Sequence, residues 1–305
     1  MIATSEYELL TESVGLADRS ERGMFVVRGG EAADFLQGQV SNEVESLAAG
    51  AGCYATILNH KGKLRTDLRI LRGEGFFWLD TEAIGHAVVR HMLGTYALGR
   101  DVQWEDVGES HSILSLIGPA ADGVAGDRAP AGAEHSLVDT GAGLWVRTDL
   151  GIDVLCGAQR ADELREELGV EPVSEAAAEC LRIESGRPRL GIDMDSETMP
   201  QEAGINDRAV DFEKGCYVGQ ETVARLHWRG KPNRHLRGLR LSEPVERRTD
   251  IVLGEKVVGR VSSTCESPRL GPIALALVRR QAGPGDAVRV GAAEAEVVEL
   301  PFESG

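Results

Sequence analysis

The chain has 305 residues, with 49 acidic against 33 basic side chains and a formal charge of −16. It repels phosphate backbones at long range, which disfavours general nucleic-acid binding. Hydrophobic residues make up 42 % but aromatics only 5 %, so aliphatic side chains must pack the two or three cores that this length supports. Five cysteines, at 53, 156, 180, 216 and 265, form no CxxC pair, zinc ribbon or local cluster motif. They fit a reducing cytoplasm. No apolar run approaches the roughly 18 residues of a membrane helix. The first 15 residues carry three glutamates and no signal-length apolar core.

In chain order, residues 29–41 read as a short helix with Ala32, Phe35 and Leu36 on one face. Residues 53–71 read as strand, turn and strand, with His60-Lys61-Gly62-Lys63 at the turn. FFWLD at 76–80 continues the sheet. Residues 82–98 form a helix whose apolar face is Ile84, Val88, Met92 and Leu93. SILSLIG at 112–118 is a short strand, and 119–143 is loop or irregular helix. A hairpin over 144–156 turns at Leu150-Gly151. A helix over 161–168 stops at Gly169. Ser174 caps a helix over 175–185, which Gly186 and Pro188 end. Beyond Arg237, short valine- and leucine-rich runs alternate with Gly and Pro and predict a small all-β domain whose boundary lies near 230–233.

Four features are candidates for chemistry. Cys216 lies between Lys214-Gly215 and Tyr217. Nearby cations favour its reactive thiolate, and the alternative is a buried structural cysteine. A tract from Thr222 to Ser242 has no acid and has Lys or Arg at 225, 229, 231, 234, 237 and 240, either an anion site or a solvated strand face. Glu184 closes the helix that Ser174 opens, where the helix dipole disfavours a carboxylate. It is a ligand for a heterocycle's N–H groups or an ordinary surface glutamate. Asn59 and Asp67 flank the Lys61-Gly62-Lys63 turn, and Asp67 sits inside an apolar strand as a base or a solvent-facing acid. GxGxxG, Walker A and HExxH motifs are absent, and nothing points to a metal.

KGCYVGQE at 214–221 resembles the K-G-C-Y-x-G-Q-E signature of the YgfZ-type folate-binding proteins, relatives of the glycine-cleavage T-protein (aminomethyltransferase). DFLQGQVSNEV, YATILNHKGKLRTDLRI, RIESGRPRLGIDM and VGRVSSTCESPRLGPIALALV resemble further segments of that family in the right order. The resemblance implies an α+β fold: a three-domain cloverleaf of two α+β domains and a C-terminal β-barrel around a central folate channel. Its expected divisions are 1–45 with 112–229, then 46–111, then 230–305. It implies tetrahydrofolate, or a one-carbon-substituted or polyglutamylated form of it, as ligand. Glu184 would bind the pterin ring, Asn59 and Asp67 would line the channel, and Lys214 and Arg225 would sit near its anionic end. Gly215, Tyr217, Gly219, Gln220 and Glu221 complete the motif.

By the same resemblance, Cys216 is the thiol required for iron–sulfur cluster maintenance, and Cys216 and Asp67 are the catalytic candidates. The partners would be iron–sulfur client or assembly proteins, and the protein a cytoplasmic monomer. The aminomethyltransferases carry a D-D pair where this chain has Thr66-Asp67, and FIGRE or FIGKE where it has CYVGQE. Both departures point toward the YgfZ-type branch. The alternatives are one-carbon transfer to tetrahydrofolate with Asp67 as base or orienter, and a tRNA-modification accessory or RNA-binding module that uses the basic tract.

Overall fold

A computed structural model of the protein describes residues 4–303. Helix α1 (Thr4–Glu12) leads into β1 (Gly15–Asp18), β2 (Gly23–Arg28) and α2 (Ala32–Gln39). The hairpin β3 (Ala51–Leu58) and β4 (Leu64–Gly73) follows, then β5 (Phe76–Thr81), α3 (His86–Tyr96), β6 (Gln103–Asp106) and β7 (His111–Ile117). Next come α4 (Ala121–Ala125), β8 (Leu137–Asp139), β9 (Leu144–Arg147), β10 (Gly151–Gly157), α5 (Ala158–Leu168), α6 (Glu175–Glu184), α7 (Asn206–Ala209) and α8 (Gln220–Arg229). The chain ends in β11 (Arg234–Leu241), β12 (Asp250–Leu253), β13 (Lys256–Ser267), β14 (Gly271–Arg279), β15 (Ala287–Val290) and β16 (Ala293–Val298).

These strands make two five-stranded sheets, ordered β1-β7-β10-β9-β8 and β3-β4-β5-β2-β6, and a closed six-stranded barrel, β11-β14-β13-β12-β15-β16. The architecture is therefore α+β with a C-terminal barrel. Strand β2 shows why the sheets stack. Its side chains alternate between faces: Phe25 and Val27 pack with Phe35 and Leu36 of α2 and Met92 of α3, while Met24 and Val26 pack with Ile113, Val146 and Leu155 of the other sheet. A strand covered on both faces reads as an unbroken apolar run. The other face of the first sheet is covered by α4 and α5 through Ala121, Ala161 and Leu164.

Three expectations are corrected. Of residues 1–45, α1 and β1 group with 112–229, since β1 pairs with β7, but β2 and α2 belong to the second sheet; the chain crosses between sheets at 19–22 and again at 107–110. The helix expected over 82–98 begins at His86 after a short 3₁₀ turn, and its buried face is Val89, Met92 and Leu93, leaving Ile84 67 % exposed. Part of the basic tract is helix α8, not strand; with only Val223 of that helix buried, its apolar periodicity is faint. Among the described residues, no helix is long and apolar enough to cross a membrane.

Candidate functional site

The inter-sheet face changes character along its strands. On β4, Leu71 packs in the apolar layer, while Arg69 and Asp67 lie on the same face two and four residues away. On β10, Leu155 gives way to Asp153 in the same manner, and on β7 Ile113 gives way to Ser115. The charged ends of these strands open a cavity of about 230 Å³ between the sheets. Helix α6 closes one side with Ala178, Glu179 and Arg182; Arg187, Arg189, Arg208, Glu134 and His135 also line it.

Ion pairs hold this wall. Arg69 bonds Asp80 at 2.8 Å and Asp153 at 2.7 Å, and Arg22 bonds Asp80 at 2.8 Å. Burial opposes the charge of Asp80, but Arg69 and Arg22 outweigh it and hold the carboxyl below its usual range. Glu134 takes Arg187 at 2.8 Å and Arg208 at 2.7 Å, and the Arg208 guanidinium lies 4.9 Å from the Tyr54 ring centre.

Asp67 is the exception in this network. Tyr54 donates its hydroxyl to Asp67 Oδ2 at 2.6 Å, whereas the buried Oδ1 has no hydrogen-bond partner. Burial pushes the Asp67 pKa up, against the Tyr54 hydrogen bond and the charge of Arg22. A buried acceptor left open at a cavity wall is a place for a ligand's N–H or for proton transfer. Thr66 points to the opposite face. Its Oγ1 is 2.8 Å from Thr81 Oγ1, and a Cβ on Gly85 would lie 2.1 Å from it. Of positions 66 and 67, only 67 addresses the cavity.

The other sequence candidates lie elsewhere. Asn59 is not a lining residue; its Oδ1 accepts from the Lys61 and Lys63 amides at 2.8 and 3.2 Å and so fixes the β3–β4 turn. Glu184, 6 % exposed, faces the barrel rather than the cavity. Its carboxylate accepts from Tyr7 at 2.8 Å, from Arg269 at 2.9 Å and from Ser267, so its lone pairs are already engaged. The cavity acid on that helix is Glu179, three residues before Arg182 and ion-paired to it, and five residues before Glu184, which places it on a different side of the helix from Glu184.

Lys214 is also away from the cavity. It is 9 % exposed, and its ammonium donates to the carbonyls of Gln37, Val40 and Asn42 at 2.8, 2.7 and 2.7 Å. These close the C-terminal end of α2, where the helix dipole favours a cation. Burial lowers the Lys214 pKa to about 8. Tyr217 is buried with Leu58, Leu64 and Val223, and its phenol is pushed up to about 12 by burial. Gly219, at φ 87°, caps α8; a Cβ there would lie 2.6 Å from Asn59 O and 3.2 Å from the Cα of Gly62. Gln220 Nε2 reaches back to the carbonyl of Lys214 at 3.3 Å. Glu221 and Arg225 are exposed on α8. Cys216 is exposed, and with Gly215 borders a separate groove formed with Gln37, Gly38 and Arg100.

Thus Asp67 stands at the central cavity, the KGCYVGQE loop packs on α2 and the Asn59 turn, and the structure does not bring Cys216 and Asp67 into one cavity. Sequence reasoning missed Tyr54, Glu134, His135, Glu179, Arg187 and Arg208. The one signal available was the pair of charges, Asp67 and Arg69, two apart within an apolar strand.

Comparison with known proteins fits this geometry. Residues 1–136 match the GCVT N-terminal domain and 234–303 the glycine cleavage T-protein C-terminal barrel domain. An aminomethyltransferase from Rubrobacter xylanophilus is 30 % identical over 319 residues, covering 98 % of this chain and 85 % of that one. The chain belongs to the glycine-cleavage T-protein family. Another T-protein relative, an aminomethyltransferase of Bacillus mycoides, is 28 % identical over 297 residues, covering 90 % of this chain and 81 % of its own. The fold matches the crystal structure of the glycine cleavage system aminomethyltransferase T from Bartonella henselae, with a TM-score of 0.89, 24 % identity, and coverage of 98 % of this chain and 89 % of that one.

Proposed function

We propose that the protein binds tetrahydrofolate in the central cavity and handles a one-carbon unit there. The observation that carries this is the open, buried Oδ1 of Asp67 at the cavity wall. The donor set suits such a ligand: a carboxylate oxygen for ring N–H groups, and arginines 187 and 208 for anionic parts. The volume, about 230 Å³, is below the roughly 300–1,000 Å³ of sites that enclose a drug-sized ligand, so the cavity takes the heterocyclic head and leaves the tail outside. Tetrahydrofolate would supply the nitrogen that carries the one-carbon group. Asp67 would hold or move a proton at Oδ1, and Tyr54 would fix the orientation of its carboxyl. Family membership supports one-carbon transfer, from a lipoyl carrier or another amine donor. The Thr66 departure does not count against it, since position 66 faces away from the cavity.

Titration calorimetry with tetrahydrofolate tests this. Binding to the wild type, weakened roughly tenfold or more by Asp67→Asn as expected for a lost hydrogen bond to a charged group, supports the reading. No heat at millimolar ligand overturns it.

A second reading is favoured by the exposure of Cys216 in a loop pinned by Lys214: a thiol serving iron–sulfur client proteins. Replacing Cys216 by alanine in cells should then lower iron–sulfur enzyme activity; unchanged activity rejects it.

A further inference from the structure

The barrel meets helix α6 along one face of β13. Ser263, Cys265 and Ser267 alternate onto the same side of the strand, and each touches the helix. Arg182 donates to Ser263 Oγ at 2.8 Å, Cys265 Sγ lies 3.3 Å from Cys180 Sγ, and Ser267 donates to Glu184. Cys180 and Glu184 are one helical turn apart, and the Cys180 thiol faces Glu184 Oε1 at 3.8 Å. Both cysteines are free. A disulfide needs about 2.05 Å between sulfurs, so closing this pair takes a movement of roughly an ångström. Cys180 is fully buried, while Cys265 is half-buried and lines a cavity of about 380 Å³ on the open side of the junction, with Ile183, Pro244 and Arg247.

We propose that Cys180 and Cys265 form a redox-responsive dithiol that closes to a disulfide between α6 and the barrel. The oxidant is a small-molecule disulfide entering the outer cavity. Cys265, as thiolate, attacks one sulfur of the oxidant, forms a mixed disulfide and releases one thiolate. Cys180 then attacks Cys265 Sγ and expels the second thiolate, which takes up the Cys180 proton. The proton first lost from Cys265 passes through solvent to the first leaving thiolate. Two protein thiols become one disulfide, and one small disulfide becomes two thiols. The order follows from access and protonation: the neighbouring Cys265 sulfur and then burial push the Cys180 pKa up, so Cys180 waits as a thiol while Cys265 is the reachable sulfur. Because α6 also carries Ala178, Glu179 and Arg182 of the central cavity, oxidation ties a wall of that cavity to the barrel.

The test uses the full-length protein with excess oxidised glutathione, followed by alkylation and peptide mapping. The expected result is loss of two of the five free thiols, a mass decrease of two hydrogens, and a Cys180–Cys265 cross-linked peptide that dithiothreitol reverses. The cross-link persists in Cys216→Ser and is lost in Cys265→Ser. Recovery of Cys180 as alkylated peptide, with glutathione attached to Cys265 or Cys216 alone, overturns the proposal, as does a cross-link between any other pair.

Discussion

Tyr54 reaches diagonally across the β3–β4 pair to Asp67, with the phenol hydroxyl 2.6 Å from Oδ2 and Oδ1 left open. The Tyr54 hydrogen bond pulls the Asp67 pKa down against burial. In Tyr54→Phe the pKa of Asp67 therefore rises further. Carbon NMR titration of labelled aspartates should show the midpoint move up. An unchanged midpoint means that the phenol does not govern the carboxyl.

Lys214 satisfies three backbone carbonyls at the end of α2. Lys214→Met leaves those acceptors without their donor and should destabilise the protein by about 3 kcal/mol or more in urea unfolding. Arginine should not restore stability, because a planar guanidinium cannot reach three carbonyls arranged around a point charge.

His135 is largely enclosed and neutral at pH 7. Burial, and then the nearby Arg69 charge, lower its pKa from 6.5 to about 4. Between those values the unfolded chain binds more protons than the folded one, so stability falls as pH drops from about 6.5 to about 4, by up to roughly 3 kcal/mol. His135 has φ 73°, which asparagine tolerates. The His135→Asn variant should show a shallower loss over this window in urea titrations at stepped pH.

Gly219→Ala places a methyl 2.6 Å from Asn59 O at a residue of φ 87°. The expected loss is about 2 kcal/mol or more, read as a lower melting temperature. Tetrahydrofolate affinity should change little, because neither Asn59 nor Gly219 lines the central cavity. A large affinity loss in folded protein would show that the motif loop communicates with the cavity.

The sequence announced much of the fold through periodicity and punctuation. The 53–71 hairpin, the Ser174 cap and the Gly169 stop are local signals, and each appears where expected; Ser174 accepts from the Ala177 amide, and Gly169 is left-handed at φ 60°. The barrel, too, announced itself through regular turn residues. The membership of β2 was not legible, because a run buried on both faces has no alternation to show which sheet it joins. The cavity was legible at Asp67 alone. Its remaining lining comes from residues as distant as Tyr54, Glu134 and Arg208, which only the stacking of the sheets brings together. Glu184 and Lys214 lie away from that cavity, their charges held by the barrel and by backbone carbonyls, which no local sequence signal shows.

The crossing of the chain between the two sheets also sets a timetable. The sheet containing β2 to β6 has all its strands once residue 106 has emerged from the ribosome. The sheet begun by β1 cannot pair that strand until β7 arrives at 111–117, and it lacks β10 until residue 157. The edge of β1 must therefore wait through the synthesis of about a hundred residues while its neighbours in sequence are already structured. Such long-range pairing is the slow step in building a sheet. The wall that carries Asp67 and Arg69 is accordingly laid down before the one that carries Ser115 and Asp153, and the cavity comes into being only when the late sheet docks on the early one.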